Sequence, residues 1–172
     1  MDIWHTASNS NEYKHSGWLG RYLDDKCKSC DLPTQLLEID DTLSLALKGE
    51  KLNGVALKDV KRLYNTTTSP FIHQLSTQYL AANHEHENAT YLYKTLAETV
   101  SSADYLYKTS KIFHNATTYP NYEFGKSMKT ISEFIISGIN TSVYYVSLGS
   151  FDTHFNQPKR QSELLKQLSE TV

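Results

Sequence analysis

Asp152 and His154 are the residues whose types and spacing are best suited to chemistry. Two residues apart in an extended loop, a carboxylate and an imidazole are expected to point toward the same pocket at the carboxyl end of the preceding strand. Together they can hold a divalent cation or a phosphate-like group. They follow residues 143–148, Val-Tyr-Tyr-Val-Ser-Leu, a short β-branched and aromatic run with Gly138, Asn140 and Thr141 upstream. Such a run predicts a strand buried on both faces, as in a parallel sheet. Gly149-Ser150 then frees the backbone to turn, and loops beyond the carboxyl ends of strands are where α/β sheets bind ligands. A lone Asp-x-His is a weak motif, and a plainer reading stands beside it. In that reading Asp152 caps the next helix and His154 is an ordinary loop residue. Ser147, Ser150 and Thr153 lie close by, but each has an easy structural role, so no nucleophile stands out.

Other candidates are fewer and weaker. Asp40-Asp41 can pair as metal carboxylates, although such a doublet is more often turn chemistry. Cys27 and Cys30 form a lone C-x-x-C with no second cysteine pair, which leaves a tetrahedral zinc site half filled. Because the pair follows a helix instead of opening one, a thioredoxin-like role does not fit. A local disulfide in an exported protein and two ordinary thiols both remain open. Arg21 can clamp an anion, and a surface ion pair with Asp24 or Asp25 is the simpler expectation. His84 and His86 invite a metal, yet they lie in a polar stretch, residues 83–88, of the kind that usually forms solvated surface.

The elements that must position these residues follow from periodicity. Ile3, Trp4 and Ala7 fit a short helical face, and Trp18, Leu19, Tyr22 and Leu23 predict a helix over residues 17–26. Residues 36–57 read as strand and turn, with Asn53-Gly54 as a tight-turn signal. Ser69-Pro70 is a helix start, with Ser as cap and Pro at the first position. Residues 89–112 predict one long helix, in which Tyr-Leu-Tyr-Lys-Thr occurs twice, from Tyr91 and from Tyr105. The offset of fourteen residues places both copies on one helical face. A further helix over residues 127–136 ends at Gly138 as a C-terminal glycine, and Pro158 marks a last helix. The layout has three parts: helix and strand-turn in residues 1–60, a nearly all-helical cap-like segment in 69–137, and a strand, loop and helix in 143–172.

Composition narrows the classes. The 172 residues suffice for one domain with a real core. Only 39% are hydrophobic and mean hydropathy is −0.51, a shortfall that 12 tyrosines partly offset. A net charge of −2 offers no general basic surface for nucleic acid. No apolar run approaches the roughly 20 residues of a membrane span. Met-Asp-Ile-Trp-His has no signal-peptide character, so the chain as written is not expected to direct its own export. A single strand at residue 143 followed by one helix is half of a βαβ unit. It must pair with the 36–57 segment in a small domain, or belong to something larger.

Four ordered segments carry a resemblance. Met-Asp-Ile-Trp-His-Thr-Ala-Ser (1–8), Gly-Trp-Leu-Gly-Arg-Tyr-Leu-Asp (17–24), Glu-Ile-Asp (38–40) and Val-Ser-Leu-Gly-Ser-Phe-Asp-Thr-His-Phe-Asn-Gln (146–157) resemble domain-of-unknown-function family 1501. This is a bacterial group, often exported by the twin-arginine route, in the alkaline-phosphatase and sulfatase clan. The resemblance spans essentially the whole chain and departs at Ser150, where the family usually has a second glycine. It implies an α/β fold in the full-length family and a location in the periplasm or outside the cell. It also implies segments absent here: a signal with Gly-Gly-Asn-Asp before residue 1, and Phe-Gly-Arg and Asp-His-Gly after residue 172. By clan analogy Asp152 and His154 are one part of a metal site, with zinc, calcium and manganese undistinguished. No tight metal binding is expected of this chain alone.

Two classes of function follow. One is a metal-dependent hydrolase of phosphate or sulfate esters, acting on small molecules or glycans, in which the cation activates the nucleophile and neutralises charge on the leaving oxygen. The other is a non-catalytic exported protein that keeps the scaffold and binds a surface partner or glycan. Fold analogy alone does not establish reaction.

Overall fold

The structure, a computed structural model, describes residues 2–27, 33–79, 87–111 and 115–172. The expectations for His84, His86, Ile112 and Cys30 lie outside them. The chain is a mixed α/β protein, mostly helical, with one small parallel sheet. The helices are α1 (Asp2–Thr6), α2 (Trp18–Lys26), α3 (Val60–Thr67), α4 (Pro70–Tyr79), α5 (Glu87–Ser110), α6 (Glu123–Ile136) and α7 (Gln157–Thr171). The strands are β1 (Leu36–Glu38), β2 (Val55–Ala56) and β3 (Val143–Tyr145), in the order β2-β1-β3.

Alternation along the strands divides the core in two. Leu37, Ile39, Val55 and Leu57 face Leu106 of α5 and Ile131 and Phe134 of α6, with Tyr144 and Val146 packed alongside. Leu36 faces the other way, against Leu19 and Leu23 of α2 and Ala46 and Leu47, with Val143 and Tyr145 alongside. Period-two side chains on a sheet covered on both sides account for this split.

The strand expected over residues 143–148 and buried on both faces is corrected. It ends at Tyr145, is only half-buried, and forms one edge of the sheet. Its ladder partner β1 is three residues long, and the last bond runs from the Ile39 amide to the Tyr145 carbonyl at 2.9 Å. Beyond it Asp40 turns away, so Val146 has no strand to pair with. The central, fully buried strand is β1.

The tight turn is also displaced from Asn53-Gly54. Lys48 and Asn53 bridge in antiparallel fashion, and Gly49 donates to the Leu52 carbonyl at 2.9 Å, so the reversal lies at residues 49–52. Residues 45–47, read as part of a strand segment, form a 3₁₀ turn instead. Two carboxylate-and-glycine contacts explain the shift. Asp24 of α2 accepts from the amides of Glu50 and Leu52, at 2.6 and 2.8 Å. Gly20 lies so close to this segment that an added Cβ would be 2.3 Å from the Lys48 carbonyl carbon.

Arg21 is corrected too. Its guanidinium donates to the carbonyls of Thr6 and Ser16, tying α1 to the start of α2, while Asp24 is occupied by the turn. Cys27 is disulfide-bonded, and the chain's only other cysteine is Cys30.

The helical expectations hold across the described part of residues 69–137, which contains no strand. α5 begins two residues before the expected start at Ala89, and α6 begins at Glu123 instead of residue 127. Gly138 takes φ +70, with its amide bonded to Ile135 and that of Ile139 to Phe134. These two bonds are the Schellman closure, and buried Ile139 supplies its apolar contact. The repeated pentapeptide has unequal surroundings despite its shared face. Leu106 is fully buried whereas Leu92 is 67% exposed, because the first copy lies beyond the part of α5 that covers the sheet.

Candidate functional site

All three strands are parallel, so their carboxyl ends lie along one edge of the sheet. Asp40 and Asp41 follow β1, Lys58 and Asp59 follow β2, and the Gly149–His154 loop follows β3. A parallel sheet gathers chemistry-bearing loops in this way without any contact between them in sequence.

On the β3 loop, His154 Nε2 lies 3.4 Å from Asp152 Oδ1, and both side chains are 90% exposed. The two expected ligands are therefore neighbours, as their spacing requires. They face solvent and not a shared pocket, which is a correction. A cavity of about 400 Å³ beside the start of this loop is lined by Ser147, Gly149, Ser150, Arg160 and Glu163. The plainer reading, with Asp152 as helix cap, is also corrected: the residue before α7 is Asn156, at φ +53, and Asp152 is occupied with His154. Ser150 itself takes φ +73, a left-handed conformation that favours glycine. Between the two candidate ligands, the Thr153 hydroxyl is buried without a hydrogen-bond partner.

Asp40 and Asp41 behave mainly as turn residues. Asp40 Oδ1 accepts the Asp41 amide at 2.6 Å. Asp41 pairs with Lys58 at 3.0 Å and approaches Arg62 at 3.8 Å, and Lys58 also lies 3.6 Å from Glu123. The Asp41 hydrogen bond, helped by the charges of Asp41 and Glu123, raises the Lys58 ammonium above its usual range. Among the described residues, no group of three or more His, Cys, Asp or Glu side chains could hold a metal ion. Asp152 and His154 thus fit a metal by donor type, imidazole nitrogen and carboxylate oxygen, but supply only two of the roughly three protein ligands a catalytic centre takes.

Sequence reasoning missed Lys58 and Arg62. Asp59 accepting the Arg62 amide at 2.8 Å starts α3, and an Asp cap ahead of Val60, Leu63 and Thr67 was the available signal. One further buried group is notable. Glu38 of β1 is 4% exposed and accepts the Ser44 amide at 2.6 Å. Burial raises its carboxyl above the ordinary range, against the lowering effect of that bond.

No helix among the described residues is long and apolar enough to cross a membrane. Compared with family models, curated proteins and solved structures, the chain matches none.

Proposed function

We propose that this chain supplies one corner of a divalent-metal centre in an exported phosphate- or sulfate-ester hydrolase, and that alone it is catalytically inert. The observation that carries the reading is the Asp152–His154 pair, 3.4 Å apart and open to solvent on the loop beyond a parallel strand. β3 is also an edge strand, so the loop borders the side of the sheet where further structure can join. The four-segment resemblance to family 1501 points the same way. The Cys27 disulfide suits an oxidising compartment, periplasmic or extracellular.

In this reading Asp152 and His154 hold the cation and fix its position relative to the sheet edge. An imidazole ligand favours zinc over calcium and manganese, which prefer oxygen donors. The cation, when bound, would activate a nucleophile and neutralise charge on the leaving oxygen. The substrate would be a small-molecule or glycan ester.

A non-catalytic binding role is the second reading, favoured by the solvent-facing aromatic rings of Trp4, Trp18 and Tyr22. Aryl phosphate and aryl sulfate assays on this chain, beside a longer homologue with the same Phe-Asp-Thr-His loop, separate the two. The hydrolase reading expects turnover by the homologue, its loss when the loop Asp becomes Asn, and none by this chain. An inactive, metal-free homologue would overturn it, as would turnover by the 172-residue chain.

A further inference from the structure

The chain leaves β1 and β2 in opposite directions. After β1 it runs to the face covered by α2 and the 45–47 turn, and after β2 it enters α3 on the face covered by α5 and α6. Adjacent parallel strands with diverging exits open a crevice at their carboxyl ends, the usual ligand position in open α/β sheets. Here the crevice is a cavity of about 170 Å³, with Leu57 and Leu63 at its apolar side and Asp40, Asp41, Lys58 and Arg62 at its polar side.

The cleft holds three carboxylates, Asp40, Asp41 and Asp59, against two cations, Lys58 and Arg62, and the two cations are paired unequally. Asp41 lies at hydrogen-bond distance from Lys58, 3.0 Å, but Arg62 is 3.8 Å away, too far for a charge-assisted hydrogen bond. The Arg62 side chain is 78% exposed, so its planar fork is accessible to an incoming acid group. Asp40 uses Oδ1 on the Asp41 amide, which leaves Oδ2 to accept from a hydroxyl.

We propose that this cleft binds a small hydroxylated acid. Its phosphate or carboxylate lies on Lys58 and Arg62, displacing Asp41, the carboxylate the two cations share, while Glu123 stays 3.6 Å from Lys58, and a hydroxyl donates to Asp40. The site is separate from the Asp152–His154 pair and does not rest on the hydrolase reading.

The test is an NMR titration of the intact chain at low ionic strength with glycerol phosphate, glycerate and inorganic phosphate. The amides of residues 58–62 should shift saturably with at least one of the two hydroxylated acids, the stronger of them identifying the acid group. Arg62→Gln, at an exposed position, should weaken binding about tenfold or more, the size of one charged contact. Asp41→Asn should strengthen it, because the competing anion is gone, and Asp40→Asn should reduce the preference over inorganic phosphate. No saturable shift with either hydroxylated acid would overturn the proposal. So would binding indifferent to Arg62→Gln, or weakened in a folded Asp41→Asn protein. If Asp41→Asn does not fold, the Arg62→Gln arm still decides.

Discussion

Asp24 Oδ1 accepts the backbone N–H of Leu52 at 2.8 Å, joining the solvent side of α2 to a turn twenty-eight residues away. The same carboxylate also accepts from Glu50 and Lys51, so three successive amides converge on one anion. Such a cluster of peptide dipoles is a fixed patch of positive potential, which an ionised acceptor stabilises more than a neutral one. Asp24→Ala should therefore cost about 2 kcal/mol in equilibrium unfolding, with Asp24→Asn intermediate. Equal stability of the three proteins would show that water replaces the carboxylate without loss.

Ser150 at φ +73 predicts an opposite result. A left-handed non-glycine residue costs about 1–2 kcal/mol, while glycine adds unfolded-state entropy worth somewhat less. Ser150→Gly should raise stability slightly, by at most about 1 kcal/mol. It should leave the Asp152–His154 pair in place. A lower melting temperature in Ser150→Gly would contradict the backbone assignment.

Glu38 predicts a pH effect of definite sign. Its carboxyl is raised in the folded protein, chiefly by burial, so the native state binds more protons than the unfolded chain in the window just above the ordinary carboxylate value. Stability from this group is full at lower pH and is lost as pH rises through the folded value. Glu38→Gln keeps an acceptor for the Ser44 amide and removes the charge. It should melt higher than wild type at pH 7 to 8 and converge with it near pH 3, below the ordinary carboxylate value, where the carboxyl is protonated in both states. A variant less stable than wild type at pH 8 would mean that the ionised form is favoured after all.

Much of the helical architecture was legible because its signals are local. Ser69-Pro70 at the start of α4, the fourteen-residue echo of Tyr-Leu-Tyr-Lys-Thr in α5, and Gly138 after α6 are all signals carried by short stretches of sequence. The Gly-Trp-Leu-Gly-Arg-Tyr-Leu-Asp segment was legible as a helix but not as a clamp. Gly20, Arg21 and Asp24 meet partners up to twenty-nine residues away, and no periodicity encodes that. The edge position of β3 was hidden for a related reason: Val-Tyr-Tyr-Val is equally compatible with a central strand, and only the three-residue length of β1 limits its pairing. At the candidate site, spacing brought Asp152 and His154 together but gave no sign that both face solvent. Lys58 and Arg62 were missed because their meeting with Asp41 depends on where two different strands end.

If Asp152 and His154 form one corner of a divalent-metal centre, as proposed, they hold the ion jointly and leave its shell incomplete. The most direct measurement is a calorimetric zinc titration of the purified chain and its Asp152→Asn variant, with the His154 imidazole followed by NMR. Weak binding is expected, because only two of about three protein ligands are present. So are broadening or shift of His154 resonances, and loss of that response in Asp152→Asn. Tight binding by the wild-type chain would show a completed site, and a His154 that ignores zinc or responds equally without the Asp152 carboxylate would rule out a shared one.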